Sequence, residues 1–172
     1  MIKERNNELI DKDYFKDLQE IKEAIRTNQN KAIVVVNSAM IMTYYEIGTI
    51  INKRKTWGSK YIKNLANDLK NYGKGYSYDN LYRMAQFASY FEYDEIMEQS
   101  VPKIAWGSLL TIMKKASSHK EMLWYINETY KNGWSRSMVL NQIAMASYER
   151  SLIEPTTSNI TKSNDLSNEL FK

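Results

Sequence analysis

The chain has 172 residues, 43% hydrophobic and 26% charged, the composition of one globular domain able to bury a core without disulfides or a structural metal. It contains no cysteine and a single histidine, His119, which excludes zinc ribbons, iron-sulfur clusters, thiol nucleophiles and any two-histidine metal site. The net charge of +4 is modest and acquires meaning only where it concentrates.

The opening residues, MIKERNNELIDKDYF, are charged where a signal peptide needs an apolar stretch. The longest apolar run, Ala32 to Val36, is far shorter than the roughly 18 residues of a membrane span. A cytoplasmic protein without membrane contact is expected. Six Gly and two Pro leave few breaking points, so the expected fold is all-α. It is a bundle of about six helices over residues 1–150 containing a helix-turn-helix-like unit, followed by a linker or flexible tail over 151–172.

From Tyr14 to Thr27, Phe15, Leu18, Ile21, Ala24 and Ile25 recur at spacings of three and four, the pattern of an amphipathic helix. Residues Lys31 to Arg54 continue that spacing through Val36, Met40, Tyr44, Ile47 and Ile51 and predict the longest helix, despite the β-branched run at 33–36. Ser59 is placed to cap a helix burying Ile62, Leu65, Ala66 and Leu69, which ends at NYGKGYS. Ser77 caps the next, with Leu81, Met84, Ala85 and Ala88 inward. Two short helices around a glycine turn form the helix-turn-helix-like unit, whose second helix is the one normally offered to DNA. Pro102 then starts a helix ending in Lys114 and Lys115, two cations suited to the negative end of its dipole. Ser117 or Ser118 caps another, closed by Asn132 and Gly133, and Ser135 caps the last, with Val139, Leu140, Ile143, Ala144 and Ala146 inward.

The positive charge concentrates between Asn52 and Arg83, where eight basic residues face only Asp68 and Asp79, a net of +6. Trp57 and several tyrosines are interleaved with them, a mixture suited to phosphate contact and stacking. The bland alternative is a solvated lysine surface over half-buried tyrosine packing. If the helix pair docks on nucleic acid, Tyr78, Asp79, Tyr82, Arg83 and Gln86 form the outward face of the second helix, Arg and Gln being the types that read guanine and adenine edges. Lys60, Lys63 and Lys74 would be backbone clamps, and Arg136, beside a helix start, could hold a phosphate. Asp79 would repel phosphate while favouring its own helix terminus.

Candidates for chemistry are weak. Glu46, on an apolar helix, is the one carboxylate expected to be semi-buried, and a structural role for it is commoner than a general base. The acidic run Glu92, Asp94, Glu95 and Glu98 lacks the spacing of a calcium loop, and His119 at a helix start suits a surface residue. No phosphate-cradling glycine motif is present. No catalytic residue, metal or cofactor is therefore expected. Trp106 and Trp134 fit either a groove or the pinning of helices together.

Four windows, TYYEIGTII at 43–51, NYGKGYSYDNLYRMAQF at 71–87, IAWGSLL at 104–110 and NGWSRSMVLNQI at 132–143, together resemble the N-terminal helical domain of the YhcG-type PD-(D/E)xK nuclease family. The resemblance covers roughly residues 15–150. It departs at Ser108, where relatives commonly carry His after Trp-Gly. The resemblance implies an accessory domain for DNA binding or interaction, joined in relatives to a nuclease half that is not expected before Lys172. The expected partners are DNA, a nuclease or restriction-type protein, and a second copy of the chain. The rival to DNA binding is an interaction or dimerisation module using the aromatic surface around Trp57 and Tyr82.

Overall fold

The computed structural model describes residues 12–54 and 58–153, and all of their regular secondary structure is helical. In chain order the α-helices are α1 (Lys12–Asn52), α2 (Ser59–Asp68), α3 (Tyr78–Tyr90), α4 (Tyr93–Glu98), α5 (Trp106–Lys115), α6 (His119–Asn132) and α7 (Arg136–Ala144). An eighth, α8, spans 147–153, so the helix runs past residue 150, and the rest of the expected tail lies outside the described residues. Trp57 also lies outside them.

The two expected N-terminal helices are one 41-residue helix. The polar stretch Thr27 to Asn30 reads as a break, but it holds neither Gly nor Pro, and the helical hydrogen bonds pass through it. The segment 33–36 is helical despite its β-branched side chains. By length and composition α1 could cross a membrane, with a mean hydropathy of 1.3 over its most apolar 18 residues. Counting unbroken apolar runs misses this because isolated Asn, Ser and Thr interrupt the run without lowering the average much. Its C-terminal part nevertheless supplies Ile41, Tyr44, Tyr45 and Ile51 to the protein core.

The core forms around α1 and α3. Gly48 allows the close crossing, because a Cβ there would sit on the Met84 carbonyl and 2.9 Å from the Ala88 Cβ. On one side of the crossing Tyr44, Ile51, Ile62, Leu81 and Met84 pack with α2. On the other, Ile41, Tyr45, Phe87 and Phe91 join Ile96, Leu109, Ile112, Tyr125, Ile126 and Val139 from the C-terminal helices. Two side-chain bonds tie α1 to the segment before α5: Asn37 Nδ2 donates to the Ile104 carbonyl and Ser38 Oγ to that of Pro102, both at 2.7 Å.

Helix starts follow the capping chemistry at Ser77, Ser118 and Ser135, each of whose hydroxyls accepts a backbone N–H three residues on. Gly133 adopts φ 63° after α6, a left-handed stop that suits glycine. Two starts differ from expectation. The cap position of α2 is Gly58, and Ser59 is the first helical residue. Pro102 lies in a 3-10 turn, Val101–Lys103, and α5 begins only at Trp106, because the extended Ile104 separates the two. The acidic run forms the short helix α4, with Glu92 at its cap position. In α7 Val139 is buried, Ile143 half-buried, and Leu140 and Ala144 are exposed, as is Ala146 just beyond it, because α5 packs on one side of the helix.

Candidate nucleic-acid interface

The link between α2 and α3 takes nine residues, 69–77, with 3-10 turns at Lys70–Tyr72 and Lys74–Tyr76. A DNA-binding helix-turn-helix uses a turn of about three or four residues. α2 and α3 are in contact, but their geometry is that of two helices joined by an ordered loop. The loop is held from inside. Asn80 Nδ2 donates to the Gly75 carbonyl, and Asn80 Oδ1 accepts from the Trp106 indole at 2.8 Å. Trp106 packs edge-on against Tyr44 and Phe87, at 5.0 and 5.4 Å between ring centres. A Cβ on Gly75 would lie 2.7 Å from the Tyr44 hydroxyl. Trp106 is therefore a structural pin for three of the four sequence windows. Burial raises the Tyr44 phenol above its ordinary pKa of 10.0; Tyr76 adds to the rise and a hydrogen bond with Asn80 opposes it.

With Leu81, Met84, Ala85 and Phe87 buried, α3 turns Asp79, Tyr82, Arg83, Gln86 and Tyr90 outward. These five line a cavity of about 360 Å³ together with Leu110, Met113 and Lys114 of α5. Beside it a second cavity, of about 240 Å³, shares Arg83, Leu110 and Lys114 and adds Thr111, Lys115, Arg136 and Leu140. The two form one groove where α3, α5 and α7 meet. Arg83, Lys114, Lys115 and Arg136 bring four cations into it, and Asp79 is the only carboxylate among the described residues along its lining. None of the four is ion-paired among the described residues, where the one contact of that kind is a hydrogen bond between His119 and Glu95.

Arg136 is oriented by its neighbours. Its Nε donates to Thr111 Oγ1 at 3.1 Å, and that hydroxyl donates to the Gly107 carbonyl at 3.0 Å. One edge of the guanidinium is thereby used, and its other edge has the geometry for a bidentate partner in the cavity that Arg136 lines. Thr111 is one residue past the third sequence window and is bonded back to Gly107 inside it, so the contact ties that helix to the fourth window.

The eight residues expected to touch nucleic acid separate into three places. Tyr82, Arg83, Gln86 and Arg136 share the groove. Lys74 and Tyr78 line a different cavity, of about 340 Å³, with Lys70, Gly73 and Tyr76. Lys60 and Lys63 are exposed on α2 and line neither. Sequence reasoning missed Lys114 and Lys115 as groove residues because a pair of lysines at a helix C-terminus already has a dipole explanation. Only the fold brings them beside Arg83.

Elsewhere the candidates for chemistry resolve into structure. Glu46 is exposed, contrary to expectation, because it points away from the α1–α3 crossing. The buried carboxylate is Glu121, which accepts from the Ser117 backbone N–H at 2.8 Å while its own N–H reaches Ser118 Oγ. Trp134 is half-buried against the larger core. Among the described residues no three His, Asp or Glu side chains converge as a metal site.

An all-helical domain with a cationic groove between three helices is the class that fold and site define. The chain belongs to the DUF1016 N-terminal domain family, which matches residues 20–150 and so includes all four sequence windows. It is similar to a protein named Putative nuclease YhcG, from Escherichia coli (strain K12), at 28% identity over 158 aligned residues. That alignment covers 69% of this chain and 41% of the relative, so the chain spans less than half of the relative's length. No solved structure matches.

Proposed function

We propose that this domain is a non-catalytic DNA-binding module of a nuclease-type protein in the cytoplasm, and that the groove between α3, α5 and α7 holds the phosphate backbone. The observation that carries the reading is the convergence of Arg83, Lys114, Lys115 and Arg136 from three helices with no ion-pair partner among the described residues. Four cations so placed gain by exchanging bound counterions for phosphates. Gln86 and Tyr82 on the same wall supply an amide and a ring for base or sugar contact. The nuclease-named relative supports the setting, an accessory part beside a cleavage activity.

Duplex and single-stranded DNA titrated by fluorescence anisotropy across a salt series tests this. Arg83→Ala with Arg136→Ala should weaken binding and flatten the salt slope by about two, given a slope of roughly 0.9 per neutralised phosphate. Lys60→Ala with Lys63→Ala should change it little. Equal effects of the two pairs would sink the groove as the site. Metal-dependent cleavage by the purified chain would sink the non-catalytic part of the reading.

A protein-docking role is the second reading, favoured by Leu110, Met113 and Leu140 on the groove lining. It predicts partner binding insensitive to salt and lost on Tyr82→Ala.

A further inference from the structure

The first part of α1 is left uncovered by the described residues of its own chain. Every residue from 13 to 36 is exposed except the half-exposed Leu18, and the segment is about 36 Å long. Ile21 and Ile25 are 56% and 52% exposed, and Val35 and Val36 are 67% and 70% exposed. A bare helix rich in β-branched residues has little intrinsic stability in water, and helices of this kind owe their order to an apolar face that is covered.

The face has a heptad repeat. Leu18, Ile25, Ala32 and Ala39 fall at one core position, and Tyr14, Ile21, Asn28 and Val35 at the other. We propose that residues 13–36 form a self-association arm that pairs antiparallel with the same segment of a second copy of this chain. This inference is independent of the DNA reading. In the antiparallel register Leu18 meets Val35, Ile21 meets Ala32 and Ile25 meets Asn28, with Tyr14 reaching Ala39 just beyond the segment, so the large Tyr14 and Ile21 side chains each face an alanine. A parallel pair would instead set Ala32 against Ala32 and Tyr14 against Tyr14.

Charge selects the same orientation. Residues 13–23 hold Asp13, Asp17, Glu20 and Glu23 against Lys16 and Lys22, four acids less two bases, a net of −2. Residues 24–36 hold Arg26 and Lys31 and no acid, a net of +2. Antiparallel pairing brings opposite halves together, whereas parallel pairing stacks like on like.

The absence of cysteine makes the test direct. Sedimentation equilibrium of the full chain at micromolar concentrations should give twice the monomer mass, and Ile21→Asp with Ile25→Asp should give the monomer while near-UV circular dichroism of the core is retained. Co-expressed Ile21→Cys and Ala32→Cys chains should form a mixed disulfide on oxidation. Each alone should not, because its own copy sits 11 residues away along the axis, roughly 16 Å. A monomer throughout, or efficient self-linkage of Ile21→Cys alone, would overturn the proposal. So would a monomeric chain that floats with phosphatidylglycerol and phosphatidylethanolamine vesicles, since the arm would then be covered by lipid.

Discussion

Gly48 sets the distance between α1 and α3, and therefore the position of every side chain on the outer face of α3. Gly48→Ala should force the helices apart and cost about 1–3 kcal/mol in urea denaturation, the range for overpacking a tight core. Gly58→Ala, at a position with open space around it, should cost less than about 1 kcal/mol. Asn80 carries a comparable burden through polar chemistry. Its removal in Asn80→Ala leaves the Trp106 indole and the Gly75 carbonyl without their partners, at about 1–3 kcal/mol each if they stay dry, with a shift in tryptophan fluorescence as the second readout. Tyr44 adds a pH dependence. Its folded pKa lies above 10.0, so the unfolded chain releases the proton first as pH rises. Stability is fully present below pH 10.0 and declines from there upward through the folded pKa, and Tyr44→Phe should flatten that decline in thermal unfolding. These residues occupy motifs whose types were visible in the sequence. Their partners were not, since Gly48 and Met84 are 36 positions apart and no local pattern joins them.

At the scale of the element, the serine caps were legible because their chemistry is local: a hydroxyl and an N–H three residues on. Ser118→Ala should cost about 1 kcal/mol by denaturant titration, since Ser118 Oγ accepts the Glu121 N–H at the start of α6. Element boundaries set by tertiary packing were not legible. Pro102 reads as a first helical residue, yet the Ser38 and Asn37 bonds hold its neighbourhood against α1 and defer α5 to Trp106. The continuity of α1 was hidden for the opposite reason. A polar stretch of four residues resembles a connection, but an uncovered helix carries polar residues without any need to break.

At the scale of the molecule, an all-helical fold follows from scarce Gly and Pro and from helical spacing along most of the chain. The groove does not follow from either. Counting charge along the sequence points to residues 52–83, whereas the fold disperses the described part of that window over the end of α1, α2, its loop and α3, and of its described basic residues only Arg83 lines the groove. The groove takes its remaining cations from α5 and α7, whose packing against each other sets Arg136 on Thr111. Charge gathered by topology is what the functional proposal rests on, so a pair of substitutions far apart in sequence tests it best. The direct measurement is the salt dependence of duplex DNA binding for the unaltered chain, for Arg83→Ala with Arg136→Ala, and for Lys60→Ala with Lys63→Ala. The account predicts a salt slope lowered by about two in the first pair and nearly unchanged in the second. Equal slopes in all three proteins, or no binding at low salt, would contradict it.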